Sequence, residues 1–113
     1  MSNTWVRIRN SAPLLAVALL LLATPGRSQG DGATMFKSKC AACHGADGKA
    51  DTTMGKALKI RDLGSQPVQS QPDAQLTEIV TKGKNKMPPF GEKLSNEQVT
   101  ELVAYVRGLA KRH

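Results

Sequence analysis

Cys40-Ala41-Ala42-Cys43-His44 is the stretch on which the reading of this chain turns. Its two thiols and one imidazole stand at positions i, i+3 and i+4, and on a helical turn such positions project to one side. Five residues therefore present two nucleophilic sulfurs and one nitrogen donor to the same flat object. A haem is such an object, with vinyl groups at its edge and iron at its centre. The thiols can form thioethers with the vinyls while the imidazole reaches the iron. This spacing therefore reads as covalent attachment of one haem c per chain.

Three other uses of the same residues fit less well. A thioredoxin-like cysteine pair sits in a βαβ pattern, and no such pattern surrounds this one. A structural zinc ion takes four ligands, and beyond Cys40, Cys43 and His44 the chain offers only His113, at its last position. A disulfide between Cys40 and Cys43 would close a very small loop and add little by the loop-entropy argument.

Moving toward the N-terminus, the motif closes an expected helix from Asp31 to Cys43. Asp31 can cap it, and Met35, Phe36, Cys40 and Cys43 recur at helical spacing. Ahead of it lies a different kind of sequence. Arg7 and Arg9 are followed by an apolar run, Ala12 to Ala23, and then by small and polar residues through Gly30. That is the order of a secretory signal. Gly26-Arg27-Ser28 places the cut after Ser28, giving a signal peptide at 1–28 and one domain at 29–113. The run is shorter than the roughly 20 apolar residues that span a bilayer, and no cysteine beside it offers a lipid attachment site. The expected product is an exported or periplasmic protein with no stable membrane insertion.

Cleavage changes the charge as well. The 113-residue chain carries a formal +7; the leader takes three arginines and no acid, which leaves +4. The only tryptophan, Trp5, leaves with it. No aromatic residues are interleaved with the lysines, so a nucleic-acid partner is not expected. A domain this short buries a limited fraction of its surface and often needs a staple. Two cysteines make no disulfide framework, and a bulky apolar cofactor fills that role.

Toward the C-terminus, Gly45 to Pro72 is polar and reads as loop, with a short helical turn at Ser65-Gln66-Pro67. A second helix is expected from Asp73 to Lys82, capped by Asp73, striped by Leu76, Ile79 and Val80, and stopped by Gly83. The third opens on a capping box, Ser95-Asn96-Glu97-Gln98. Val99, Leu102, Val103, Val106 and Leu109 form its buried stripe, with Tyr105 beside it. The fold expected is all-α: three main helices and loops around one haem.

The iron needs a sixth ligand or an open position. Lys86-Met87-Pro88-Pro89-Phe90 supplies a candidate. A residue before proline is pushed toward an extended backbone, and the two prolines stiffen the loop after Met87. Taken alone, Met87 reads as a core methionine filling a gap. With the haem motif in hand it reads as the ligand opposite His44, because Met/His is a recurring cytochrome pairing. Met35 lies on the attachment helix and is poorly placed. Met54 is the alternative ligand or a residue lining the pocket.

On these residues the sequence after the leader resembles the class I monohaem cytochromes c, of the short soluble type found in bacterial periplasm and photosynthetic electron transfer. Gly32 and Phe36 match that family's first helix, and Leu102 and Tyr105 match its last. The resemblance implies that these helices cross, with the small residue letting the backbones approach. It implies a single-electron carrier, and the expectation is a protein that is not an enzyme and works as a monomer with redox partner proteins. Thr53 stands where the family often has a proline whose carbonyl accepts the second N–H of the ligating histidine. That acceptor is left open. An open iron acting on peroxide is the rival function, and no distal His or Arg pattern supports it. Lys37 and Lys39, with Lys82, Lys84 and Lys86, form either a positive ring that steers an acidic partner or an ordinary solubilising surface.

Overall fold

A computed structural model describes residues 29–112. Residues 1–28, expected to be a leader, and His113 lie outside the described residues. Six α-helices follow one another: α1 (Gln29–Lys39), α2 (Ala41–His44), α3 (Thr53–Ala57), α4 (Gln66–Gln69), α5 (Asp73–Lys82) and α6 (Asn96–Leu109), closed by a 3-10 turn at Ala110–Arg112. Among the described residues there is no β-strand, and the one bridge joins Lys84 to Met87. No helix among them is long and apolar enough to cross a membrane.

The three longest helices are those expected, with local differences. The first is broken at Cys40, so the attachment motif sits on a corner between α1 and α2. The break is slight, because the Cys40 N–H still donates to the Phe36 carbonyl at 2.9 Å. α5 has the expected span but not the expected cap. Pro72 holds the N-cap position, with no side-chain hydrogen bond. The Asp73 carboxylate turns instead to Arg107, whose Nε donates to its Oδ1 at 2.8 Å. A guanidinium offers five donors in a fixed fork, and this one also donates to the backbone carbonyls of Gln69 (2.7 Å) and Gln71. The α4–α5 corner is thereby fastened to the last helix. α6 opens as expected: the Gln98 N–H donates to Ser95 Oγ, and Gln98 Oε1 accepts from the Ser95 N–H.

The polar stretch before α5 is not all loop. It holds α4, which the proline signal marked, and α3, which nothing apolar marked. α3 is capped by Thr52, whose Oγ1 accepts from the Gly55 N–H at 2.8 Å.

The core is built where α1 crosses α6. Phe36, Leu94, Val99, Leu102 and Leu109 form one buried cluster, and the Phe36 and Tyr105 rings pack with centroids 4.9 Å apart. The crossing is close at Gly32, where a Cβ would lie 2.7 Å from the Glu101 carbonyl oxygen and 3.3 Å from Tyr105 Cβ. Only glycine leaves room for that approach. A second cluster, Val68, Leu76 and Val103, packs α4 and α5 against α6 beside the first, with Leu63 and Val106 touching both.

Candidate haem site

Cys40, Cys43 and His44 lie on the α1–α2 corner, each half-buried. The two thiols are free. The corner is held by helical bonds from the Cys43 and His44 N–H groups to the Cys40 carbonyl, at 3.2 and 2.9 Å. The His44 ring lies 6.5 Å from the Phe36 ring, centroid to centroid, so the core side of α1 backs the imidazole.

Burial pushes the pKa of His44 below its ordinary value. That favours the neutral imidazole, the form with a lone pair for a metal. Burial also raises the pKa of Cys40, against a smaller lowering by the neighbouring Lys39. Nδ1 of His44 is buried with no hydrogen-bond partner. A buried polar atom without a partner costs about 1–3 kcal/mol, and such a group in a folded protein calls for an explanation. Two thiols that form no disulfide and an imidazole held toward its neutral form, on one corner, are the donor set that a covalently held haem takes. The acceptor for the ring's second N–H, left open in the sequence, is not supplied by the Thr53 carbonyl or by any other protein group here.

Met87 is half-buried in the loop between α5 and α6. Its backbone is held on both sides. The Lys84 N–H donates to the Met87 carbonyl at 3.1 Å, and the Met87 N–H donates to the Lys84 carbonyl at 2.9 Å. Beyond the prolines, the Phe90 and Gly91 N–H groups donate to the carbonyls of Val80 and Thr81, each at 3.0 Å. Gly83, at φ 75°, completes the turn; a Cβ there would meet the Met87 carbonyl oxygen at 2.6 Å. The stiffness read from Met-Pro-Pro is therefore reinforced by a hydrogen-bonded frame. Cys40 and Ala41 on one side, and Val80 and Phe90 on the other, pack against the same Phe36–Leu102 cluster. The attachment corner and the methionine loop are thus mounted on one core.

Met54 is 49% exposed on α3, the only large apolar side chain left so open among the described residues. α3 packs against α2, so this open apolar group belongs to the neighbourhood of the attachment corner. Thr52 was not singled out by the sequence. Its hydroxyl donates to the Cys43 carbonyl at 2.9 Å while accepting from Gly55. A threonine three residues ahead of a buried glycine, in an N-cap pattern, is the signal that marks it.

Comparison with known proteins agrees with this architecture. The family described as cytochrome c oxidase, cbb3-type, subunit III matches residues 28–106. The cytochrome c6 of Thermosynechococcus vestitus is 38% identical over 95 residues, covering 81% of this chain and 82% of that protein. The cytochrome c6 of Rippkaea orientalis is 38% identical over 101 residues, covering 87% and 88%. Among solved structures, the KustC0563 c-type cytochrome superposes with a TM-score of 0.65 at 36% identity, over 70% of this chain and 96% of that one. With matches that run along most of both sequences and a helical fold to go with them, this chain belongs to the class I monohaem cytochromes c, proteins that hold haem c covalently.

Proposed function

We propose that this chain is a soluble single-electron carrier, with Cys40 and Cys43 as thioether donors and His44 and Met87 as the axial ligands of the iron. The observation that carries the reading is the attachment corner: two thiols not joined to each other beside an imidazole that burial holds toward its neutral form, mounted on the same core as the Met87 loop. The framed loop around Met87 supports its part. Four main-chain hydrogen bonds hold that loop before any cofactor is considered, so its backbone is preorganised and only the Met87 side chain has to be ordered on ligation. Bound haem iron supplies a one-electron couple. The chain's own residues set its conditions. His44 contributes a neutral ring, Met87 a thioether that favours the reduced state and raises the potential, and the Phe36–Leu102 core excludes water behind the ring. If His44 and Met87 both hold the iron of a bound haem, no open coordination position would be left for a substrate, which favours a carrier over an enzyme.

The proposal extends to the leader. Residues 1–28 act as a secretory signal and the working protein begins near residue 29, in an exported or periplasmic compartment. The family match, which begins at residue 28, is in keeping with this.

Met87→Ala is the decisive variant. The ferric native protein should show the weak near-infrared band of sulfur-to-iron charge transfer, and the variant should lack it. Its midpoint potential should fall by on the order of 0.1 V or more, within the roughly 0.8 V that axial ligands span, and it should bind added imidazole. A native protein that lacks the band and binds small ligands freely would return Met87 to the pocket wall and bring the peroxide-reactive reading forward.

A further inference from the structure

We propose that Thr52 is a positioning residue for the haem ligand His44, acting through the backbone on either side of it. Two peptide units flank the His44 Cα. The unit ahead of it carries the Cys43 carbonyl and the His44 N–H. The carbonyl accepts from Thr52 Oγ1 at 2.9 Å, and the N–H donates to Cys40 at 2.9 Å. The unit behind carries the His44 carbonyl, which accepts from the Ala50 N–H at 2.7 Å, and the Gly45 N–H, which donates to Ala41 at 2.8 Å. All four polar groups of the two units are engaged. Two fixed peptide planes fix φ and ψ of the residue between them, and so fix the direction of its Cα–Cβ bond.

Of these four bonds, only the one from Thr52 depends on a side chain. The last carbonyls of a helix have no partner within it. α2 is a single turn, so the donors at Ala50 and Thr52 supply what its own backbone lacks. Thr52 is itself anchored, because its hydroxyl also accepts from the Gly55 N–H at 2.8 Å. One oxygen therefore links the start of α3 to the carbonyl next to the ligand. Gly55 makes the link short: a Cβ there would lie 2.8 Å from the Cys43 carbonyl oxygen. The ring of His44 makes no hydrogen bond to the protein at the buried Nδ1. Its orientation is then held from below, through the backbone, and Thr52 is the part of that support which sequence can vary.

This inference rests on the reading of His44 as the iron ligand, and the test separates the two. The haem-loaded protein is compared as Thr52→Val, which keeps the shape and removes the hydroxyl, and as Thr52→Ser, which restores it. The readouts are the paramagnetically shifted haem-methyl resonances of the ferric protein, whose pattern follows the plane of the axial imidazole, and the midpoint potential. Thr52→Val should redistribute the methyl shifts and move the potential, while Thr52→Ser should reproduce the parent on both. If Thr52→Val lowers Tm but leaves shifts and potential unchanged, the residue is merely structural and the proposal is overturned. If the parent itself lacks the spectrum of histidine ligation, the reading of His44 has failed and not the role of Thr52. Amide exchange in the parent protein guards against a variant that does not mature. The Gly55 N–H should be strongly protected, and exchange at the rate of a free amide would equally sink the proposal.

Discussion

Lys59 follows α3 with a φ of 52° and an exposed side chain. Left-handed backbone costs an L-residue about 1–2 kcal/mol, and no buried contact of this side chain offsets it. Glycine escapes that cost and gives back about 0.4–1 kcal/mol through a freer unfolded chain. Lys59→Gly should therefore stabilise the haem-loaded protein by about 0.5–1 kcal/mol, read as a rise of several degrees in Tm. A fall in Tm would show that the turn draws support from the lysine. Ala50, at φ 57°, is a contrasting case. It is buried, and glycine there would also delete a methyl group worth about 0.8 kcal/mol, so relief and loss nearly cancel. Asn85, at φ 53°, is a residue type that tolerates this conformation.

Among the helices, the crossing of α1 and α6 makes one substitution act in opposite directions at two glycines. Gly32→Ala puts a Cβ 2.7 Å from a backbone oxygen of the other helix. Forcing a group into a packed contact costs about 1–3 kcal/mol, and denaturant unfolding should show a loss of that size. Gly108 lies in α6 with nothing within 4 Å of its would-be Cβ. Alanine there should gain about 0.5–1 kcal/mol from helix propensity. Equal effects at both positions would mean that the backbones do not meet closely at Gly32. The same elements separate what is legible in sequence from what is not. The Ser95 capping box, the Gly83 stop and the Met-Pro-Pro constraint are local, each complete within a few residues, and all three are in the structure. The Cys-x-x-Cys-His corner is local as well. The cap at Asp73 is not there because Arg107, 34 residues away, competes for the carboxylate. α3 escaped notice because it buries no apolar side chain, only the backbone of Gly55. Thr52 escaped because its acceptor lies nine residues back, across a turn that periodicity does not describe. The crossing itself came from family resemblance; apolar spacing gives the faces of two helices but not which face meets which.

For the molecule as a whole, charge bears on partners. Residues 29–113 carry a formal +4. Lys82 is partly neutralised by Glu78 at 2.9 Å, whereas Lys37, Lys39, Lys84 and Lys86 are exposed and make no ion pair among the described residues. If these cations steer an acidic redox partner, association should slow as salt rises, because the Debye length contracts to about 10 Å at 0.1 M. Replacing Lys82, Lys84 and Lys86 with Gln should lower the second-order rate of electron transfer and flatten its salt dependence. Lys82→Gln alone should have the smallest effect, because Glu78 already offsets it. Rates that stay unchanged in the triple variant would make these lysines an ordinary solvated surface.

Because α1 and α6 are each other's partners, the chain cannot close until its far end has been made. Segment 31–44 emerges with Phe36 and Gly32 still lacking their contacts, and with the Cys43 and His44 carbonyls still waiting for Thr52 and Ala50. Both thiols are then accessible, with no core yet packed against them and with the 11-residue α1 too short to be a stable helix alone. Sealing waits for Leu102 and Leu109 to arrive. Order of synthesis thus becomes order of assembly: the leading end displays the groups that must react, and the trailing end shuts them in.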